Sequence, residues 1–240
     1  MFQTLLDLDA QLLLFFNSFH TPQLDVFMKL FTGRFIWIPM YAAILPILFK
    51  KYRSILAIVM LLGLILTIAL TDQTCASLIR PLVGRLRPSN PHNPLSEYVT
   101  LVNGYRGGSY GFPSCHAANS FALAVYMSLI VKRRIFMAFI FVWASINCYS
   151  RMYLGVHYPG DILVGALIGS AFAFATYHCI RKLAGHYLSK KEKIVSDLHL
   201  FSGRLQAFGA NGPTVRLTAI HVMITIGFGS TVYMLLESVL

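Results

Sequence analysis

Residues Ser54 to Ile79 read SILAIVMLLGLILTIALTDQTCASLI, and from Ser54 to Thr71 no side chain carries a charge. The run exceeds the ~20 residues that an α-helix needs to cross ~30 Å of hydrocarbon. Backbone amides in lipid must find partners within the segment, so a helix is the form that suits it. Five further apolar runs, at about 31–49, 115–131, 135–153, 160–180 and 217–238, read the same way. The expected fold is all-α: a polytopic membrane helical bundle of about six transmembrane helices, in a single domain spanning 1–240. Composition agrees, since 56% of the 240 residues are hydrophobic and only 12% charged, outside the range of ordinary soluble domains. The run 115–131 is the shortest, and its polar start is expected to line a cavity.

The stretch before Lys29 is apolar from Leu12 to Phe16 but interrupted by Asp7, Asp9, Asn17, His20 and Pro22. It reads as an N-terminal interfacial helix and has no basic leader of a cleavable signal. Orientation follows from the positive-inside bias. Lys50, Lys51 and Arg53, then Lys132, Arg133 and Arg134, then a basic stretch from Arg181 to Lys193 mark the cytoplasmic side. Residues 80–114, the turn at 154–159 and both termini fall opposite. Most of the net charge of +11 is thus explained by topology and by contact with anionic headgroups, and no nucleic-acid partner is expected. Residues 181–216 read as a basic cytoplasmic linker ahead of the last span at 217–238.

Five arginines break that charge rule: Arg80, Arg85, Arg87, Arg106 and Arg151 lie on the side that should be poor in positive charge. Clustered guanidinium groups suit bidentate capture of phosphate oxygens, whereas Arg85 or Arg106 taken singly fits interfacial snorkelling. Two polar clusters share their side of the membrane. Pro113-Ser114-Cys115-His116 has the residues of a helix start, where free amides and the helix dipole hold an anion and a first-turn histidine can hand over a proton. By itself the tetrapeptide is weak evidence and reads more readily as a plain cap with a satisfied histidine. In Ser150-Arg151…His157…Asp161, a helix starting at Pro159 would bring His157 and Asp161 to one face, so that the carboxylate fixes the imidazole tautomer and frees the other nitrogen for attack on phosphorus. An isolated His–Asp pair is as often a structural contact.

Together the segments resemble the type-2 phosphatidic acid phosphatase family, which shares its active site with the vanadium haloperoxidases. The family pattern is Lys, six residues, Arg-Pro; then Pro-Ser-Gly-His; then Ser-Arg, five residues, His, three residues, Asp. Here it is met by Arg80 through Arg87-Pro88, by Pro113 to His116, and by Ser150-Arg151 through His157 to Asp161, with every spacing kept across a core of about 72–165. The resemblance implies that His157 is the nucleophile of a phosphohistidine intermediate and that Asp161 orients it. It implies further that His116 protonates the leaving group and later activates water, while Arg80, Arg87, Arg151 and Ser114 hold the phosphoryl oxygens. No cofactor and no metal is expected, and arginines around two histidines repel a divalent cation.

Two positions depart from the pattern. Arg80 replaces the usual lysine with a planar fork, and Cys115 puts a side chain where the family has glycine, which bears on substrate fit. Asp72, about two turns before Arg80, is either a supporting partner of an arginine or one end of an interhelical bond. Asn119 and Asn147 are expected to bridge helices, His221 to be structural, and Gly165 and Gly169 to mark close helix packing. Cys75, Cys115, Cys148 and Cys179 show no zinc or redox spacing, so no disulfide is expected. The loop Ser89 to Phe112 should sit over the site, with Tyr98, Tyr105 and Tyr110 anchoring it at the interface.

The expectation is therefore a membrane lipid phosphatase of the cell inner membrane, its site facing the periplasm or exterior. Undecaprenyl diphosphate and lipid A phosphate are favoured as substrates, with phosphatidate and phosphatidylglycerophosphate also compatible. The rival readings are a phosphotransferase with the same histidine chemistry and a non-catalytic phospholipid-binding or transport protein, although binding alone needs neither nucleophile nor proton donor. The oligomeric state is left open.

Overall fold

The computed structural model describes residues 2–33, 35–52 and 54–198, with positions 227, 229–231, 234 and 238. The chain opens with α1 (Phe2–Asn17) and α2 (Pro22–Phe31). Thr21 starts α2, its hydroxyl accepting from the Leu24 amide at 3.2 Å, and Pro22 occupies a first-turn position whose N–H would have no partner anyway. Two short helices follow, α3 (Ile38–Ala42) and α4 (Ile44–Lys51). The expected continuous span at 31–49 is instead broken, since α2 and the segment Phe35–Lys51 meet at 68°. Proline explains the internal breaks. Pro39 lies in the first turn of α3, and Pro46, in the first turn of α4, has no N–H with which to bond the carbonyl four residues back.

Next comes α5 (Ser54–Gln73), which runs through one π-helical turn, Thr74–Ile79, into the short α6 (Arg80–Val83). Gly84, at φ +60°, ends it in the left-handed conformation that glycine adopts without cost. The remaining helices are α7 (Cys115–Val131), α8 (Arg134–Tyr153) and α9 (Pro159–Leu198). Among the described residues the β structure is one isolated bridge, Leu86 to Tyr110. Residues 181–198, read from sequence as linker, extend α9, while the rest of that stretch lies outside the described residues.

Among the described residues three helices are long and apolar enough to cross a membrane, Ser54–Val83, Arg134–Tyr153 and Pro159–His186, and the bent pair α2 with Phe35–Lys51 makes a fourth if it counts as one crossing. The chain is an all-helical integral membrane protein. The sixth expected span, 217–238, lies outside the described residues except for scattered positions. Ile55, Leu62, Ile65, Leu167 and Phe174 turn outward and stay more than half exposed, the distribution expected where lipid is the solvent.

α7 differs from its neighbours in being covered on every side. Ala117, Ala122, Leu123, Tyr126, Met127 and Ile130 are all buried, because α5, α8 and α9 surround it. Its tightest contact is with α9. A Cβ placed at Gly165 would collide with the Ser114 carbonyl oxygen, and one at Gly169 with the Ala118 carbonyl oxygen. The two backbones therefore touch, as the glycine spacing predicts. Hydrogen bonds tie α5 into the same bundle: the Tyr126 hydroxyl donates to the Met60 carbonyl at 2.9 Å, and Thr67 shares a proton with Thr176 at 2.5 Å.

The glycine contact is testable by bulk. Gly169→Val puts a branched side chain into the Ala118 backbone, so the detergent-solubilised variant should unfold at a midpoint lower by several degrees, the cost exceeding the ~1–3 kcal/mol usual for overpacking. A midpoint equal to that of the parent chain in a thermal-shift measurement would contradict the close approach.

Candidate active site

α7 and α9 begin side by side. Ser114 is the N-cap of α7, its hydroxyl accepting from the Ala117 amide at 3.4 Å, and its own amide donates to the Asp161 carbonyl in the first turn of α9 at 2.9 Å. His116 consequently lies, half-buried, in the first turn of α7 at the same end of the bundle. The helical contact expected between His157 and Asp161 takes another form. His157 precedes α9, and Asp161 folds back as the third residue of that helix. Its Oδ2 accepts from the Tyr158 amide at 3.0 Å, as in a capping box, and lies 3.4 Å from His157 Nδ1.

The tautomer of His157 follows from its neighbours. Arg87 Nη1 is 2.7 Å from His157 Nε2 and also donates to the Val156 carbonyl at 2.9 Å. A guanidinium has no acceptor, so Nε2 must offer its lone pair and the ring proton resides on Nδ1, toward Asp161. A hydrogen bond with the Gly111 backbone steadies the ring as well. Gly111 has little room to be anything else, because a Cβ there would lie 3.1 Å from Asp161 Oδ2 and 3.5 Å from His157 Nδ1.

Burial keeps His157, 1% exposed, well below the usual imidazole range, and the positive charges of Arg87, Arg151 and Arg80 push the same way. The imidazole is therefore neutral. Burial first, then Arg80 and Arg151, likewise bring Arg87 down to about 10. Three guanidinium groups thus crowd one small volume with little water to screen them.

Each arginine is held by few partners. Arg80, at the end of the π-helical turn, donates to the Pro113 carbonyl at 3.1 Å and to Cys115 Sγ at 2.9 Å. Cys115, standing where the family has glycine, also pairs with the Cys75 thiol, and both remain reduced. Arg151, in the last turn of α8, donates to Thr32 Oγ1 at 2.8 Å and to the Tyr105 hydroxyl at 3.5 Å. Among the described residues the Nε atoms of Arg80, Arg87 and Arg151 are buried with no hydrogen-bond partner. Buried polar groups in that condition are rare and suit an anion with several oxygens.

Asp72 accepts from Asn119 at 2.9 Å, the interhelical alternative between α5 and α7. Asn147 bonds within α8, to the Trp143 carbonyl at 3.5 Å. Tyr98 is exposed as an interfacial anchor would be, but Tyr105 reaches inward to Arg151. Arg106 donates to the Ser89 carbonyl at 2.6 Å within the loop. Reading Arg85 as a snorkelling side chain needs correction: it is ion-paired with Asp161 Oδ1 at 2.9 Å and with Asp9 Oδ2 at 2.7 Å, and lies 3.7 Å over the Tyr158 ring. Asp9, Thr32 and Gly111 were not legible as parts of this region. For Asp9 the available signal was an acid in an apolar helix facing a surplus of arginines.

The burial of His157 predicts a pH signature. With the folded pKa below the unfolded value near 6.5, the unfolded chain binds more protons as pH falls, so stability held above about pH 6.5 is lost toward lower pH, by at most ~1.4 kcal/mol per pH unit for this group. Thermal unfolding between pH 7.5 and 5 should show that loss, and His157→Gln should flatten it. An equal slope in both proteins would mean that His157 titrates normally.

Comparison with known proteins gives the family of the chain. The chain is 51% identical over 79% of its length to the lipid A 4'-phosphatase of Bacteroides thetaiotaomicron, covering 84% of that protein, and 34% identical over 69% to the lipid A 4'-phosphatase of Porphyromonas gingivalis, covering 70%. The crystal structure of Aquifex aeolicus LpxE superimposes with a TM-score of 0.52 at 26% identity, covering 69% of this chain and 92% of that one. The model of the PAP2 superfamily matches residues 56–184, a range that takes in His116, His157, Asp161 and the three crowded arginines, and the chain belongs to that superfamily of membrane lipid phosphatases.

Proposed function

We propose that this membrane phosphatase removes a phosphate monoester from lipid A, through a phosphohistidine formed on His157. The observation that carries the chemistry is the convergence of three guanidinium groups, each with a buried and unpartnered Nε, on a histidine held neutral with its lone pair on Nε2. The choice of lipid A over undecaprenyl diphosphate, phosphatidate and phosphatidylglycerophosphate rests on the two relatives named lipid A 4'-phosphatase.

On this reading the phosphoryl oxygens lie among Arg80, Arg87 and Arg151, with the Ser114 cap and the first amides of α7 completing the cradle. Arg87 exchanges its bond to Nε2 for a phosphate oxygen, which frees the lone pair. Nε2 attacks phosphorus as the bond to the sugar oxygen breaks, and His116 gives its proton to that oxygen. Asp161 holds the Nδ1 proton and stabilises the charge that develops on the ring. Water then attacks the phosphohistidine, His116 takes the proton, the P–N bond breaks and inorganic phosphate leaves. His116, uncharged after the first step, is restored by the second. No metal is assigned a part.

The membrane arrangement belongs to the same proposal. Counting the bent pair, α7 and the C-terminal run 217–238 as crossings gives six. The basic segments around Lys50, Lys132 and Arg181 then face the cytoplasm, and the ends of α7 and α9 that carry the histidines face the periplasm or exterior of a bacterial inner membrane. Substrate enters sideways, its acyl chains staying in the bilayer while the phosphate reaches His157.

The test is phosphate release by purified protein in detergent with EDTA present, from lipid A, undecaprenyl diphosphate, phosphatidate and phosphatidylglycerophosphate. Lipid A should be hydrolysed, with kcat/KM reduced by about three orders of magnitude in His157→Ala and by ~10²–10⁴ in His116→Ala. Release undiminished in His157→Ala would sink the histidine mechanism, a preference for another lipid would replace the substrate, and a new phosphoester in place of free phosphate would mark a transferase. Cys115→Gly, which restores the family residue, should keep activity within about threefold because the cysteine adds only weak thiol contacts, to Arg80 and to Cys75; loss of activity in the folded variant would assign Cys115 a larger part.

A further inference from the structure

We propose that Asp9 and Arg85 are positioning residues that hold Asp161 against His157, so that helix α1 forms part of the active site. The inference rests on the histidine mechanism above and concerns two residues outside the seven motif positions assigned to phosphate or to catalysis.

Asp161 is 0% exposed. A carboxylate cut off from water stays charged only where donors and a cation satisfy it. Oδ2 has the Tyr158 amide at 3.0 Å and His157 Nδ1 at 3.4 Å, and Oδ1 has Arg85 Nη1 at 2.9 Å. Arg85 is the cation in direct contact with it. Without that guanidinium, Asp161 would be free to take a proton or turn toward another arginine, and in either case His157 would lose the acceptor that fixes its tautomer.

Arg85 is itself fixed from two sides. Its plane lies 3.7 Å over the Tyr158 ring, the residue between His157 and α9, and its second nitrogen is ion-paired with Asp9 Oδ2 at 2.7 Å. The other oxygen of Asp9 accepts from the Gly160 amide at 2.7 Å, one of the first-turn N–H groups of α9 that lack a helical partner. Asp9 thus grips both the arginine and the helix start that carries Asp161. The line Asp9, Arg85, Asp161, His157 runs from α1 to the nucleophile through contacts of 2.7, 2.9 and 3.4 Å. Arg85 spends two of its nitrogens on carboxylates, unlike Arg80, Arg87 and Arg151, which suits an orienting part better than capture of phosphate.

The experiment compares the wild-type chain with Arg85→Gln, Arg85→Lys, Asp9→Asn, the double variant Asp9→Asn/Arg85→Gln and His157→Ala, measuring kcat and KM separately for phosphate release from lipid A. Asp9→Asn keeps an oxygen for the Gly160 amide and removes only the charge facing Arg85. We expect kcat to fall about tenfold or more in Arg85→Gln and about threefold or more in Asp9→Asn, with KM within about twofold of wild type. Arg85→Lys should recover part of the loss, since one ammonium can still compensate Asp161. The double variant should be no slower than Arg85→Gln, because Asp9 acts through Arg85.

A rise in KM at constant kcat would make Arg85 a substrate-binding group and overturn the proposal. So would multiplicative losses in the double variant, or wild-type kcat in the variants. Should Arg85→Gln fail to fold, Asp9→Asn and Arg85→Lys carry the same kcat and KM test. Activity of the wild type that His157→Ala abolishes, together with unchanged variants, rejects the positioning line and leaves the phosphatase reading standing; a wild type that releases phosphate from none of the four lipids removes the basis of both.

Discussion

The constraint on which the rest depends is the satisfaction of one sealed carboxylate. Asp161 has no exposed surface, and its two side-chain oxygens are shared among the Tyr158 amide, the His157 ring and Arg85, while its carbonyl receives the Ser114 amide. One residue therefore closes the first turn of α9, sets the histidine tautomer, neutralises an arginine and docks the start of α7. Each of those tasks is ordinary for an aspartate at a helix start. Their coincidence at one position ties the fold and the chemistry to the same atoms.

The surrounding bundle supplies what that carboxylate needs. Because α7 and α9 meet backbone to backbone at Gly165 and Gly169, their first turns are held at fixed distance, and the Ser114 cap at one helix start lies beside the His–Asp pair at the other. The loop between α6 and α7 closes over both through the pairing of Arg87 with Ser109 and Arg85 with Gly111. Arg80, Arg87 and Arg151 crowd around an uncharged imidazole, and burial first, then the two neighbouring guanidinium groups, bring Arg87 down. On the proposed function, a bound dianionic phosphate would compensate those guanidinium groups.

Much of this was legible in the order of residues. Apolar length marked α5, α8 and the first part of α9, the Ser114 cap followed from Pro-Ser before an apolar run, and the spacing from Ser150 to Asp161 brought the right side chains together. What escaped reading depends on tertiary context. Pro39 and Pro46 break a run that hydropathy sees as continuous, because an average over a window does not register a missing N–H. Basic residues after 180 looked like a surface linker, yet a helix already stabilised by packing carries on through them to Leu198. Arg85 and Asp9 are distant in sequence and each resembles an isolated interfacial charge; only folding shows that each is the other's counter-ion.

The π-helical turn Thr74–Ile79 gives the chain a dependence on count rather than on composition. Such a turn holds one more residue than an α-helical path would, and one residue rotates everything after it by about 100° about the helix axis. Upstream of it α5 offers Ile65 and Leu66 to lipid; downstream Arg80 points to Pro113 and Cys115. A single deletion inside the turn would leave every functional side chain in the chain and yet aim Arg80 elsewhere. An insertion or deletion at 74–79 would therefore disturb the site through phase, where a substitution there would leave the phase intact.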